Sequence, residues 1–387
     1  MRSPDEGIYT NQAKTIAQHG SDGMKYLIRT YNANKELWIY PPPTRIGYLL
    51  PLAILMRVSN DMTEEAGSHL ACLFSIISLL LLIVLGFRFF NRWITLYALT
   101  FMCISPMALA ISRRSWQDAM LGCFGLFLIY LCCEITRAPR KLFLYIIFII
   151  IGSYSILIKE SGLLIYGLCT IWLLWTLVFK EKSLLKGSLL ASFSIIGLFM
   201  SVAYLAYSIG GMRMLLEVWG HVKEAMPTNA YAIQYQTGPW YYLLQGFWII
   251  SPVNAILCLV GTVRLCLFNK QDRENVLAFS KNKDVLSGII FFMLAFTTIT
   301  MVMPYVQNLR YVSVLFAPFY LVSGFGLWSI AACIKTKVNK FSFSIVTVIV
   351  IIVSIAVAMN DYRSFKKIFV KRGLLDLSIG LLKESTQ

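Results

Sequence analysis

Three long apolar runs, Leu70 to Phe87, Phe143 to Ile158 and Phe341 to Met359, limit what this chain can fold into. A helix crossing the hydrocarbon of a membrane needs about 20 mostly apolar residues. No water is available there, so each span satisfies its own backbone hydrogen bonds as a helix. A membrane β-barrel alternates apolar and polar residues in short segments, and these runs do not alternate. Runs of the same kind predict ten spans, near 70–87, 93–111, 118–134, 142–158, 161–179, 187–209, 247–268, 285–304, 312–334 and 341–359. Composition agrees: 58% of the 387 residues are hydrophobic and 14% charged, against roughly a quarter charged in soluble domains. The expected fold is all-α, a single polytopic transmembrane helix bundle over residues 1–387.

The net charge of +16 does not point to nucleic acid, because the basic residues sit mostly in short loops between apolar runs. Arg88 and Arg92, Arg137 to Lys141, Lys180 to Lys186, Arg264 to Lys283 and Lys335 to Lys340 fall on one side of the ten-span layout. That side holds 16 basic and 5 acidic residues, so it is cytoplasmic by the positive-inside rule. The basic tail from Arg363 to Arg372 falls on the other side and is the exception. The external face then collects residues 1–69, the loop 210–245 and the tail 360–387. Within the first of these, 46–58 is too short to span and is expected to lie at the outer surface as an interfacial helix. Met212, Leu215, Leu216, Trp219, Val222 and Met226 have helical spacing and predict a second one. All nine cysteines fall inside or beside apolar runs, which suits packing rather than disulfides or zinc. Only three histidines occur, far apart, which argues against a His-based metal site.

The external face also gathers the ionisable residues. Asp5-Glu6 is a carboxylate pair, Asp118 opens a span after Arg113-Arg114, Lys159-Glu160 interrupts two apolar runs, and Arg310-Tyr311 opens another span. Charged residues at span ends cost little, since they reach the headgroup region, so each alone reads as an anchor. Together they predict a polar site on one face.

The order of these features resembles the C-type glycosyltransferase superfamily, which holds the protein O-mannosyltransferases and the lipid A aminoarabinose transferase. The likeness runs through Asp5-Glu6 with Tyr9, Pro41-Pro42-Pro43, Asp118 after Trp116-Gln117, Ile158-Lys159, Pro239-Trp240-Tyr241-Tyr242 through Ser251-Pro252, and Arg310-Tyr311 with Pro318. Two departures stand out. Family members carry a span before the Asp-Glu segment, so the resemblance implies a further hydrophobic segment ahead of Met1. Some relatives place a Lys before the Pro-Pro pair, where Tyr40 stands here and Arg45 is the nearest base.

The resemblance implies an inverting transfer of a sugar from a polyprenyl-phosphate donor to a glycan, lipid or protein acceptor. Such a donor carries a good leaving group, so the reaction needs a carboxylate to take the acceptor proton and cations to hold the departing phosphate. Asp5 is the expected base, with Glu6 and Asp118 positioning acceptor or base. Arg113, Arg114, Lys159, Arg310 and Arg45 are the candidate phosphate ligands, and Tyr9, Tyr241, Tyr242 and Tyr311 the candidate sugar or acceptor pocket. No cofactor is implied, and participation of a divalent cation is left open. A polysaccharide ligase or polymerase shares the lipid-linked substrate but does not require the Asp-Glu segment. A transporter or flippase would show two pseudo-symmetric halves, and no internal repeat is found.

Overall fold

The computed structural model describes residues 4–267, 283–337 and 343–387. The basic residues between 268 and 282, and Lys340, lie outside them. The described residues form helices and no strand, with one isolated bridge between Asn308 and Ser378. In chain order the helices are α1 (Pro4–Ala33), α2 (Ile46–Ser59), α3 (Glu64–Phe89), α4 (Arg92–Ile104), α5 (Pro106–Ser112) and α6 (Asp118–Arg137). They continue with α7 (Leu142–Ile158), α8 (Ser161–Trp175), α9 (Leu184–Ile209), α10 (Met212–Ala225), α11 (Ala230–Tyr235) and α12 (Tyr242–Ile250). The last five are α13 (Pro252–Leu267), α14 (Lys283–Val302), α15 (Phe316–Lys337), α16 (Phe343–Phe365) and α17 (Ile379–Thr386).

Local chemistry sets several of these boundaries. The Thr63 hydroxyl accepts from Glu65 N at 3.2 Å and Asn91 Oδ1 from Ile94 N at 2.9 Å, starting α3 and α4. Such caps satisfy amides that have no partner within the helix. Two of the predicted spans are bent. The 93–111 run bends by 59° between α4 and α5, and the 247–268 run bends by 118° between α12 and α13. Both breaks fall at a Ser-Pro step, Ser105-Pro106 and Ser251-Pro252. Proline supplies no amide and pushes the residue before it out of the helical region; Ser105 has φ −61°, ψ 123° and Ser251 φ −150°, ψ 70°.

Among the described residues the count of spans does not reach the ten expected. Six helices among the described residues are long and apolar enough to cross a membrane alone, and eight if each bent pair is one span. The segment from Leu309 to Ile334 is buried almost throughout, and α6 mostly so, which puts them at the bundle centre; α3 and α9 turn much of their apolar surface outward. Close approach at the centre uses glycine: a Cβ on Gly326 would sit 2.0 Å from Leu257 O, and one on Gly261 2.5 Å from Val322 O. Small residues of this kind bring membrane helices into backbone contact.

Residues 46–59 do form a helix, α2, with Ile46, Tyr48, Leu49, Leu52 and Met56 buried. It packs on α1 and α7, and Tyr154 donates to Gly47 O at 2.8 Å. The predicted second amphipathic helix is α10, whose Leu215 and Val218 face inward while Leu216 and Trp219 remain exposed. The cysteines are free thiols, with Cys132 and Cys133 packed in the core.

Candidate active site

Four segments distant in sequence meet at one end of the bundle: the start of α1, the Arg114–Asp118 turn before α6, the Lys159-Glu160 hinge between α7 and α8, and the 3-10 turn Leu309–Leu315 before α15. The first turn of α1 carries Asp5 and Glu6, where the helix dipole favours negative charge. Its partners are the cations of the other segments.

Arg310 Nη2 donates to Asp5 Oδ2 at 2.6 Å. Lys159 Nζ donates to Asp118 Oδ1, also at 2.6 Å, with side-chain exposures of 5% and 0%. The two pairs share aromatic surroundings. The Lys159 ammonium lies 3.9 Å from the centre of the Tyr311 ring, and the Arg310 guanidinium lies 5.2 Å from the same ring and 5.1 Å from that of Trp116. Cations over ring faces are attracted by the ring quadrupole.

Burial pulls the Lys159 ammonium down to about 8, and the Asp118 carboxylate beside it opposes that pull. Desolvation penalises the charged form of a lysine; a neighbouring anion favours it.

Glu6 is tied differently. Its Oε2 accepts from Arg114 Nη1 at 3.1 Å and its Oε1 from Ser115 N at 3.0 Å, while Arg114 Nη2 also donates to Leu374 O at 2.9 Å. Glu6 and Arg114 thus fasten α1 to the turn that positions Asp118. Arg45 pairs with Glu160 at 3.2 Å and donates to the Tyr9 hydroxyl. Burial pushes that hydroxyl well above its ordinary pKa, so Tyr9 stays protonated.

The sequence candidates therefore separate into groups. Asp5, Glu6, Tyr9, Arg45, Arg114, Asp118, Lys159, Arg310 and Tyr311 form one linked cluster. Arg113 is exposed. The ring contacts of Tyr241 and Tyr242 are with Trp240, at 5.7 Å, and with the Lys383 ammonium, at 3.9 Å, rather than with the cluster. Three residues outside the predicted set join it: Asp376 Oδ1 lies 3.7 Å from Arg310 Nε, Asn308 Nδ2 donates to the same oxygen at 3.1 Å, and Tyr231 donates to Asp376 Oδ2 at 2.9 Å. The signal for Asp376 was slight: it is the only acidic residue between Asp361 and Glu384.

Three buried polar atoms in this cluster have no hydrogen-bond partner, Arg310 Nε and Nη1 and Asp118 Oδ2. Asp118 is also the only charged residue lining a crevice of about 90 Å3 between α3, α4, α5, α6 and the start of α15. Ser75, Met102, Leu109, Leu126 and Phe316 give it a mainly apolar wall. Among the described residues, no three His, Cys, Asp or Glu side chains converge to hold a metal ion.

No family model matches the chain, and no curated protein sequence matches it. Solved structures do. ArnT from Cupriavidus metallidurans in the apo state aligns over 100% of this chain and 73% of its own, with a TM-score of 0.58 at 14% identity. The same protein bound to undecaprenyl phosphate covers the same shares, with a TM-score of 0.54 at 12% identity. A likeness at this identity shows the fold, that of a multi-pass helical membrane protein.

Proposed function

We propose that the chain is an integral membrane glycosyltransferase that moves a sugar from a polyprenyl-phosphate donor to an acceptor hydroxyl, with inversion. The observation that carries this reading is a buried guanidinium with an unpartnered Nη1, placed beside carboxylates and near an apolar crevice. A phosphate monoanion or dianion is the natural complement of such a group, since arginine binds it through paired charged hydrogen bonds. The crevice at Asp118 offers an apolar flank for the start of a polyprenyl chain. The structural neighbour solved with undecaprenyl phosphate supports the same class of ligand.

The residues divide the chemistry between them. Asp5 is the more accessible carboxylate, with 19% of its side chain exposed against none for Asp118. It is therefore assigned to take the proton as the acceptor oxygen attacks the anomeric carbon. The bond from that carbon to the phosphate oxygen breaks, and the electron pair leaves with the polyprenyl phosphate. Arg310 and Lys159 hold the charge that develops on the leaving group, as preorganised cations do. Glu6 and Arg114 keep the first turn of α1 in register with Asp118.

The reaction is tested with purified protein in liposomes, a radiolabelled polyprenyl-phosphate sugar and extracted cell-envelope acceptors. Asp5→Asn keeps size and one carbonyl oxygen but cannot take the proton, so transfer is expected to fall ~10²–10⁴-fold while donor binding persists. Arg310→Ala is expected to weaken donor binding as well, by ~1.5–3 kcal/mol for a lost charged hydrogen bond. Near-normal transfer by Asp5→Asn would remove Asp5 as the base and leave Asp118 to be tested.

A further inference from the structure

Arg310 is bracketed by two carboxylates that come from opposite ends of the sequence, and the proposed reaction uses only one of them. Asp5 holds Nη2 at 2.6 Å; Asp376 faces Nε at 3.7 Å, an ion-pair distance too long for a hydrogen bond. Asp376 is itself fixed. Its Oδ1 accepts from Asn308 Nδ2 at 3.1 Å and from Leu377 N at 2.7 Å, and its Oδ2 accepts from the Tyr231 hydroxyl at 2.9 Å. Asn308 completes the link, because its Oδ1 accepts from Arg310 N at 3.0 Å. The segment bearing Asp376 is docked by backbone bonds, Leu309 N to Leu377 O at 3.0 Å and Ile379 N to Gln307 O at 3.2 Å.

The two carboxylates have different freedom. Asp5 has 19% of its side chain exposed, whereas Asp376 is buried and held by three donors besides Arg310. While Arg310 Nη2 donates to Asp5 Oδ2, that oxygen is occupied and not open to an acceptor proton. A donor phosphate that takes over the guanidinium edge frees Asp5 for the acceptor proton. Arg310 then needs a second anchor.

We propose that Asp376 is that anchor, a positioning residue that holds Arg310 in the site from the C-terminal segment while Asp5 exchanges with the donor phosphate. The inference rests on the donor assignment made above and adds a residue to it.

A double-mutant cycle on the full-length chain tests it, with undecaprenyl phosphate as the ligand and thermal unfolding as a second measurement. Undecaprenyl phosphate binding by the wild type, weakened by Arg310→Ala, checks the donor assignment first; no binding by the wild type overturns that assignment and this inference together. Asp376→Asn removes the charge that faces Arg310 Nε and puts an amide NH₂ where a carboxylate oxygen accepts. It is expected to weaken binding ~10-fold in the wild-type background and by less than about twofold in the Arg310→Ala background, the non-additivity expected of coupled residues. Asp376→Glu, which keeps the charge, is expected to recover most of the affinity. Equal losses in both backgrounds would overturn the inference, since they would mark a purely structural role. Unchanged affinity in a folded Asp376→Asn protein would overturn it too. If Asp376→Asn does not fold, Tyr231→Phe carries the test: it keeps the charge, removes one support of Oδ2, and is expected to lose about threefold in affinity only where Arg310 is present.

Discussion

Helix α6 connects two kinds of ion pair. Asp118 in its first turn meets Lys159 with both side chains almost wholly buried, while Glu134 in its last turn meets Arg88, whose side chain is 46% exposed. At 1.5 Å per residue the two carboxylates stand about 24 Å apart along the axis. At the Glu134 end a second pair, Lys180 with Asp284, is also half exposed. Exposed pairs are screened and contribute ~0–1 kcal/mol. Buried pairs lose hydration that their mutual attraction does not always restore, so apolar replacements are often as stable. A chain selected for stability alone has no need of Lys159 and Asp118 in a dry interior. The proposed function gives those charges a role at that end of the bundle, beside the phosphate.

The comparison is broken outright if the two ends do not face opposite sides of the membrane. Thr228 and Lys182 are both exposed. A cysteine at 228 is expected to react with an impermeant maleimide in intact cells, and a cysteine at 182 only after permeabilisation. The reverse pattern would place the cluster on the cytoplasmic face.

The next largest effect is on stability. Lys159→Met leaves Asp118 buried without its counter-ion and is expected to cost ~3–5 kcal/mol, read as a lowered unfolding temperature. Adding Asp118→Asn to it removes the stranded charge and is expected to recover most of the loss without restoring transfer. Failure of the double variant to recover would mean that the pair holds the fold rather than serving the site.

The third sharpening uses pH. With its pKa drawn down to about 8 from 10.5, Lys159 loses its charge as pH rises through 8. Transfer is expected to fall up to tenfold per unit above that point, and Lys159→Arg to move the limb upward. Stability runs the other way. Below pH 8 both folded and unfolded chains carry the charge; between 8 and 10.5 the unfolded chain binds the extra proton, so stability rises with pH in that window. A transfer profile flat from 7 to 10 would remove Lys159 from the phosphate site.

The smallest effect belongs to the other end. Lys180→Ala is expected to change stability by no more than about 1 kcal/mol and to leave transfer unchanged, measured in the same two assays.

Much of this was legible from one-dimensional pattern. Asp118 and Arg310 open spans and Lys159 interrupts two apolar runs; each alone reads as an anchor, and only their common face pointed to a polar site. The positions of α3, α6, α7 and α9 follow from hydropathy within a few residues. The breaks at Ser105 and Ser251 did not show, because a window of apolar residues sums to the same hydropathy whether or not proline interrupts its helix. The sequence assigns Glu6 to positioning acceptor or base; in the structure it accepts from Arg114 and the Ser115 amide, contacts its identity alone does not reveal. Asp376 was missed for a related reason. It sits between Leu375 and Leu377 in a basic tail, and no periodicity connects it with Arg310.

The bond between Asp5 and Arg310 spans 305 positions, which has a consequence for biogenesis. At ~5–20 residues per second, Arg310 leaves the ribosome roughly 15–60 s after Asp5, and Asp376 later still. Until then Asp5 lacks Arg310, the guanidinium it pairs with in the folded protein. No partly synthesised chain holds Asp5, Arg310 and Asp376 together, so under the proposed mechanism a nascent protein has no complete site. On that reading the proposed site is assembled only once the segment bearing Asp376 has docked beside Arg310, by pairings such as Leu309 N to Leu377 O.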